Sequence, residues 1–331
     1  MKKSIAYAVA TVAGLVFGQP LHAKPVKWDL SIEYQASSIP GEVAQKFASE
    51  LSRLSGDEMN VVIHYGSSLG YKSVDQFDAV DDGALPLASS FISSWSGIDP
   101  IFLVAALPVL APTPADVKAL YSAAKPFFES KLDENNQKLL AVTPWPNNGI
   151  WARKEVNSTE ALKGLKIRTF DPNGTATFAA VGAFPVQLSW GDVMPQLGAG
   201  ALDAVVTSAD GGSAASLWDY LPVYSQVPYA SPWQMIHMNK GIYDDLGPQH
   251  KQWVDEAAAA AEAYGWTAVV ERTTRNFSQM RKKGMVIVED IDPQFVAELA
   301  AAGQKTIEKW QQDTDERGTA LLEAYRKRVR E

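Results

Sequence analysis

Residues 162–211 read LKGLKIRTFDPNGTATFAAVGAFPVQLSWGDVMPQLGAGALDAVVTSADG, and this stretch decides the fold class. Its segments LKIRTF, PVQLS and ALDAVVTS have the apolar, β-branched composition of strands, and they alternate with the helix-like segments GTATFAAVGA and WGDVMPQL. Strands that alternate with helices predict βαβ units and a largely parallel sheet. The stretch therefore predicts an α/β fold.

The same alternation continues outward along the chain. We predict strands at residues 27–34, 59–65, 85–90 and 138–145, helices at 40–54, 73–83 and 115–136, and a mostly helical region from about residue 246. A chain of 331 residues usually exceeds a single core, so two lobes are expected.

The lobes should be joined by several chain crossings, because no Gly/Ser-rich or Pro-rich linker separates them. In such an arrangement the natural ligand site is the cleft between the lobes. We predict that lobe I comprises residues 24–145 with 233–272 and that lobe II comprises residues 146–232 with 273–331.

The first 23 residues have the layout of a secretory signal peptide. Two lysines precede an apolar run from Ile5 to Phe17, and a small residue stands at Ala23. We expect cleavage after Ala23 and a periplasmic location. The absence of cysteine from the sequence means that the core, without disulfides, must supply the stability.

The net charge of −8 argues against nucleic acid and anionic membranes as partners. It does not argue against a small anion at one local positive site. We predict no metal and no cofactor, because the four histidines form no H-x-x-x-H pair and neither G-x-G-x-x-G nor a Walker A motif occurs.

One motif offers an enzymatic alternative. GSSLG, residues 66–70, matches G-x-S-x-G between a predicted strand and a predicted helix, which is the context of a hydrolase nucleophile. Ser68 would be the nucleophile, and His237 or His250 could act as its base. No HGGG-like oxyanion segment precedes the motif, so an exported α/β hydrolase stays the alternative to a binding protein.

Arg168 ends the apolar strand segment LKIR. Its guanidinium keeps its charge at any ordinary pH, so a buried Arg168 needs an anion. Asp171 or Asp203 could supply that anion within the protein, or a ligand could supply it. The residues alone leave both possibilities open.

The stretch 162–211 resembles the central signature of the extracytoplasmic solute-binding proteins of tripartite ATP-independent periplasmic (TRAP) transporters. The resemblance extends to GYKSVDQFDAVDDGALPLA, residues 70–88, and to IDPIFLVAALPVL, residues 98–110. Two departures are Ala204, where the family usually has glycine, and Thr207-Ser208, where several members carry a ligand-contacting asparagine.

The resemblance implies a two-lobed, periplasmic-binding-protein-like α/β fold with an interlobe cleft and long C-terminal helices. It implies a monomeric receptor, not an enzyme, that captures a small organic carboxylate and delivers it to the TRAP membrane permease subunits. In the family the arginine of GLKIR, here Arg168, pairs with the ligand carboxylate.

The family resemblance also bears on the ligand class. A second arginine of some members falls at Asn148 here, so we expect a monocarboxylate with a cyclic, aromatic or keto-acid body. An ectoine-like zwitterion is the alternative if an acidic residue meets its cationic end. The predicted site residues are Arg168, Trp145, Asn148, Trp151, Phe170, Trp190, Thr207, Ser208, Asp210, Trp233, Tyr34, Gln35, Ser37, Phe91 and Trp95.

Overall fold

The computed structural model describes residues 25–330 of the chain. The signal peptide predicted for residues 1–23 lies outside this range. Within the range, no helix combines the length and the apolarity needed to cross a bilayer.

The first sheet has five strands in the order β2-β1-β3-β10-β4. Strands β1, β2 and β3 are parallel, and β10 runs antiparallel between β3 and β4. The strands are β1 (Val26–Ile32), β2 (Met59–His64), β3 (Leu87–Phe91), β4 (Gln137–Pro144) and β10 (Trp233–Asn239).

The second sheet has six strands in the order β11-β9-β5-β8-β6-β7. Strand β6, which contains Arg168, pairs in parallel with both β7 and β8. The strands are β5 (Asn148–Ala152), β6 (Lys166–Thr169), β7 (Phe184–Gln187), β8 (Ala204–Ser208), β9 (Val223–Ser225) and β11 (Val286–Val288).

Ten helices cover these sheets and the chain between them in residues 25–330. They are α1 (Ile39–Ser55), α2 (Ser73–Asp81), α3 (Pro114–Asp133), α4 (Thr159–Leu162), α5 (Pro172–Ala180), α6 (Trp190–Gly198), α7 (Ala209–Ala214), α8 (Lys240–Asp244), α9 (Pro248–Lys282) and α10 (Pro293–Arg330). Short 3₁₀ turns span Ile92–Trp95, Pro100–Ala106 and Leu217–Asp219.

Local sequence explains where the helices that flank the cleft begin and end. At α1, the Ser38 side chain accepts a hydrogen bond from Gly41 N, and Gly56 closes the helix with the left-handed φ of 58° that glycine tolerates. At α5, the Asp171 side chain accepts from Gly174 N. These caps fix the entry points of helices that start beside strand ends.

Two chain segments cross between the sheets side by side. The backbone N–H of Trp145 donates to Pro232 O at 2.9 Å, and that of Asn148 donates to Ala230 O at 2.8 Å. One sheet lies on each side of this crossing, so the fold is the expected two-lobed α/β architecture. We keep the names lobe I for the part with the first sheet and lobe II for the part with the second.

The lobe boundaries drawn from the sequence stay a prediction, with one difference at the C-terminus. Residues 273–331 were expected in lobe II, but Leu321, Leu322 and Tyr325 of α10 pack in the core of lobe I. The non-helical backbone of Asp315 (φ 51°, ψ −139°) bends α10 between Trp310 and Leu321, both of which pack in that core. A single helix therefore contacts both lobes, which its polar sequence pattern did not reveal.

Candidate functional site

A small cavity lies between the lobes, where β1, β3, β5, β6 and β8 end or begin. Its walls nearly touch, and they leave a free volume of only about 10 Å³. All of its lining residues belong to the set predicted from the sequence: Tyr34, Phe91, Trp145, Asn148, Arg168, Phe170, Trp190 and Thr207. Both lobes contribute, as a binding cleft requires.

Arg168 is the charged residue of the cavity and is only 3% exposed. Its Nε and Nη2 donate to Leu188 O at 3.0 and 2.9 Å, and its Nη1 donates to Val206 O at 3.3 Å. A guanidinium has five N–H groups. One N–H on Nη1 and one on Nη2 therefore have no acceptor among residues 25–330.

Asp203 and Asp171, the two carboxylates that could have paired with Arg168, have other partners. Asp203 instead accepts from Lys166 N, and Asp171 accepts from Gly174 N. Within the described part of the chain, no carboxylate forms an ion pair with the guanidinium. Two N–H groups on neighbouring nitrogens are what a carboxylate accepts in a bidentate pair.

Burial lowers the pKa of Arg168 from its ordinary value, and the nearby Tyr34, Glu33 and Asp171 partly oppose this effect. The side chain nevertheless stays cationic at physiological pH. Its Cζ lies 5.4 Å from the ring centre of Trp190 and 5.8 Å from that of Phe170. Aromatic faces at this distance attract a cation without consuming its N–H groups.

Two further donors in the cavity lining lack partners. Trp145 Nε1 and Asn148 Nδ2 are buried, and neither has a hydrogen-bond acceptor among the described residues. A buried donor without an acceptor costs about 1–3 kcal/mol. Together with the two N–H groups of Arg168, these atoms make a site that is rich in donors and suited to an acceptor-rich anion.

Aromatic rings form the walls of the cavity. The Tyr34 ring of lobe I stacks on Trp190 of lobe II, with 5.7 Å between centres and 24° between planes. The ring centres of Tyr34 and Trp145 lie 4.7 Å apart, and Phe91 contacts Phe170 edge-on with 5.4 Å between ring centres. Rigid rings from both lobes thus contact one another directly, and an organic group could lie between them only when the walls separate.

Three tryptophans predicted to line the site lie elsewhere. Trp95 packs on Phe77 in the core of lobe I, and its Nε1 donates to Ser73 O at 2.8 Å. Trp233 packs in the same core, and Trp151 is fully buried in lobe II. These positions correct the sequence interpretation, because strand ends alone do not tell which face a side chain occupies.

Two polar residues predicted to contact the ligand, Ser208 and Gln35, lie outside the cavity lining. The Ser208 side chain caps α7 by accepting from Gly211 N at 3.1 Å. The Gln35 Oε1 accepts from Trp190 Nε1 at 3.4 Å, so Gln35 supports a cavity wall from behind.

Asp210, predicted as a ligand contact, instead joins the two lobes. Its Oδ2 accepts from Ile39 N at 2.8 Å, and its Oδ1 lies 3.2 Å from Arg272 Nη1. Arg272 also donates to Ser37 O at 3.0 Å, which places Ser37 in the same network. The buried guanidinium of Arg272 therefore pairs with Asp210. No sequence pattern linked these residues, which lie far apart in the chain.

Sequence reasoning missed Glu33, which adjoins the site. Glu33 is 3% exposed and accepts backbone N–H groups of Ser73 and Gly191. The signal that could have found it is an acidic residue at the end of a strand, next to the candidate Tyr34.

Because Asp171 is buried, we expect the free energy of unfolding of the free protein to depend on pH. Burial raises its pKa to about 7, and the Gly174 N–H and Arg168 oppose the rise. The unfolded chain releases this proton near pH 4, so the folded form holds it over a window in which the unfolded form does not. The free energy of unfolding should therefore fall as pH rises from about 4 to about 7.

The variant Asp171→Asn isolates this contribution, because asparagine also caps helices but does not titrate. Calorimetry of both proteins between about pH 4.5 and about pH 8 measures the difference. We expect the stability of the wild type relative to the variant to decline with rising pH. Parallel stability curves would show that Asp171 does not titrate in this range.

The hydrolase alternative finds no support at Ser68. Ser68 is exposed, and each histidine in residues 25–330 has another partner: His64 contacts Asp29, His237 contacts Ser90 and Gln137, and His250 contacts Glu58. In the same range, no group of three or more His, Asp or Glu side chains is placed to hold a metal ion.

Two lobes that enclose a small cavity with a buried guanidinium define the class of two-lobed solute-binding proteins. The chain matches the family model DctP, "Bacterial extracellular solute-binding protein, family 7", over residues 30–313, and it belongs to this family. It is a solute-binding receptor of the TRAP type, which works outside the cytoplasm with a membrane permease. The proteins of this family and the structural neighbours are transport receptors, not enzymes.

Curated relatives span most of the chain. The ectoine/5-hydroxyectoine-binding periplasmic protein UehA of Ruegeria pomeroyi is 24% identical over 279 residues, which cover 82% of this chain and 81% of UehA. A solute-binding protein of Verminephrobacter eiseniae is 25% identical over 283 residues, covering 82% of each chain.

Solved structures have the same fold. DctP6 of Bordetella pertussis, a receptor binding pyroglutamic acid, is 28% identical with a TM-score of 0.87, covering 91% of this chain and 100% of its own. The ectoine-binding protein of the Halomonas elongata TeaABC TRAP transporter has a TM-score of 0.84 at 19% identity, covering 92% and 99%.

Proposed function

We propose that this receptor binds a compact organic monocarboxylate that has a second hydrogen-bond acceptor, as pyroglutamate does, and presents it to a TRAP permease. The observation that carries the proposal is Arg168, a buried cation that, among residues 25–330, has one unpaired N–H on each terminal nitrogen and no ion-paired carboxylate. A ligand carboxylate is the anion that fits this arrangement.

The count of charged residues in the cavity favours one carboxylate over two. Arg168 is the cation of the lining, and Asn148, where the family resemblance places a second arginine of some members, is uncharged. An amide N–H can donate to a neutral carbonyl or hydroxyl oxygen but does not neutralise a second anion. The unpaired Nδ2 of Asn148 therefore suits the lactam or keto oxygen of a monoanion.

The arginine cannot supply all of the affinity. A hydrogen bond to a charged group contributes about 1.5–3 kcal/mol, whereas micromolar binding needs about 8 kcal/mol. The aromatic walls supply the remainder by burying the apolar part of the ligand at roughly 25 cal/mol per Å². The free space in the cavity is only about 10 Å³, which is about enough for one water molecule, so the walls must move apart to admit a ligand and a small body is favoured.

Two structural neighbours support the ligand class. DctP6 binds pyroglutamic acid, and a marine metagenome TRAP protein, also 28% identical to this chain, was found in complex with co-purified pyroglutamate. The ectoine alternative would need an acidic group for the cationic end of the zwitterion. Glu33 is the nearest buried carboxylate to Tyr34 in the chain, but it already accepts two backbone N–H groups.

A thermal-shift screen tests the proposal. We would compare L-pyroglutamate with its neutral carboxamide, and add a keto acid, succinate and ectoine. A ligand at a hundred times its Kd stabilises by about 2.7 kcal/mol, or roughly 5 °C for a domain of this size.

We expect stabilisation by pyroglutamate or the keto acid and none by the carboxamide, which keeps the ring but lacks the anion. Equal shifts from pyroglutamate and its carboxamide would contradict a carboxylate site. Stabilisation by succinate alone would contradict the monocarboxylate class.

A further inference from the structure

Glu33 connects two helix N-termini that belong to different lobes. Its Oε2 accepts from the backbone N–H of Ser73 at 2.9 Å, and its Oε1 accepts from that of Gly191 at 2.8 Å. Ser73 is the first residue of α2 in lobe I, and Gly191 is the second residue of α6 in lobe II. Helix N-termini present unpaired N–H groups and a partial positive charge, both of which stabilise a buried carboxylate.

A second contact joins the same two helices at the neighbouring residues. Lys72 Nζ lies 2.8 Å from both carboxylate oxygens of Asp192. This ion pair is more than a third exposed on both sides, and pairs of that kind contribute little by themselves. Glu33 is buried, so its two hydrogen bonds are stronger than the exposed Lys72–Asp192 ion pair.

The helix held by Glu33 also carries a wall of the cavity. Trp190 is the first residue of α6, stacks on Tyr34, and lies over the Arg168 guanidinium. Tyr34 follows Glu33 directly in the chain. One carboxylate thus fixes two facing walls relative to each other.

We propose that Glu33 is a positioning residue that holds α6, and with it Trp190, over the bound carboxylate when the lobes close. This inference rests on the proposed function. Contacts that exist only in the closed state raise affinity by stabilising that state. The contact between Glu33 and Gly191 forms after the ligand enters an open cleft, so its loss should speed dissociation and leave association nearly unchanged.

The test compares Glu33→Gln with Asp192→Asn by stopped-flow fluorescence, with L-pyroglutamate as the probe. Glutamine keeps the size of the side chain but turns an NH₂ donor towards one of the two N–H groups. We expect koff to rise about tenfold to a hundredfold in Glu33→Gln, with kon within threefold of wild type. Asp192→Asn, the matched control at the exposed pair, should change koff less than threefold.

A second variant separates positioning from a general loss of stability. If Glu33 acts through Trp190, Glu33→Gln should have a much smaller effect on koff in a Trp190→Ala background. Unchanged koff in Glu33→Gln would overturn the proposal, as would a full effect in the Trp190→Ala background. If Arg168→Ala retains binding while Glu33→Gln loses it, the carboxylate site fails but the positioning role stands.

Lobe closure can also be measured directly, as a distance between the two helices, with and without pyroglutamate. The chain has no cysteine, so Asp78→Cys on α2 and Gln196→Cys on α6, both exposed, provide unique sites for spin labels. We expect the short-distance population between the labels to be smaller in Glu33→Gln than in the otherwise identical labelled protein. Identical distance distributions, with or without pyroglutamate, would overturn the proposal.

Discussion

Replacing Arg168 by alanine should abolish detectable binding of the carboxylate. Removing one partner of a buried ion pair leaves the other charge buried and unpaired, which costs on the order of 3–5 kcal/mol. This corresponds to a loss of roughly a hundredfold to several thousandfold in affinity. Isothermal titration of the stabilising acid into both proteins measures the effect.

The variant Arg168→Lys tests whether a positive charge alone, without the planar guanidinium, is enough for binding. Lysine keeps a positive charge but lacks the planar fork that meets both carboxylate oxygens. We expect weak binding, intermediate between wild type and Arg168→Ala. Affinity within fivefold of wild type in a folded Arg168→Ala protein would show that Arg168 has a structural role only.

Replacing Trp151 by alanine should destabilise the fold and leave ligand affinity nearly unchanged. Trp151 is fully buried, its ring packs on Tyr224 at 5.3 Å, and its Nε1 donates to Ser208 O. A methyl group at Gly212 would lie only 2.2 Å from two of its ring carbons, so the ring fills its space completely. A change of this kind costs about 3–5 kcal/mol, or roughly 6–9 °C in Tm.

Trp190→Ala provides the contrast, because Trp190 lines the cavity. It should weaken binding roughly tenfold through loss of the aromatic wall, with a smaller change in Tm than Trp151→Ala. Thermal unfolding and titration of both variants separate the two roles. A Trp151→Ala protein that has normal stability but binds weakly would show that Trp151 belongs to the ligand site.

The α/β alternation of the sequence was sufficient to predict the fold, because apolar strands and amphipathic helices carry their own periodicities. Helix α1, predicted at residues 40–54 and ending at Gly56, lies at Ile39–Ser55. The 3₁₀ turns at Ile92–Trp95 and Pro100–Ala106 were not predicted, since segments of four and seven residues are too short to show a clear periodicity. The bend of α10 at Asp315 was not predicted either.

The residues that line the cavity could be predicted only in part. Arg168 stood out because a buried arginine needs an anion, but the residues alone did not distinguish a ligand from Asp171 or Asp203, and the family resemblance was needed to favour the ligand. Trp95 and Trp233 show the limit, because a buried tryptophan at a strand end can face either a core or a cleft. Asp210 and Glu33 contact helix N-termini that lie far away in the chain, and only the folded structure brings them together.

A crystal structure with the acid that stabilises the protein most tests the central claim directly. We predict one carboxylate group with its two oxygens about 2.7–2.9 Å from Nη1 and Nη2 of Arg168, and the organic body between Tyr34, Trp145 and Trp190. A ligand carboxylate bound at any other group, with Arg168 contacting only Leu188 O and Val206 O, would contradict the account.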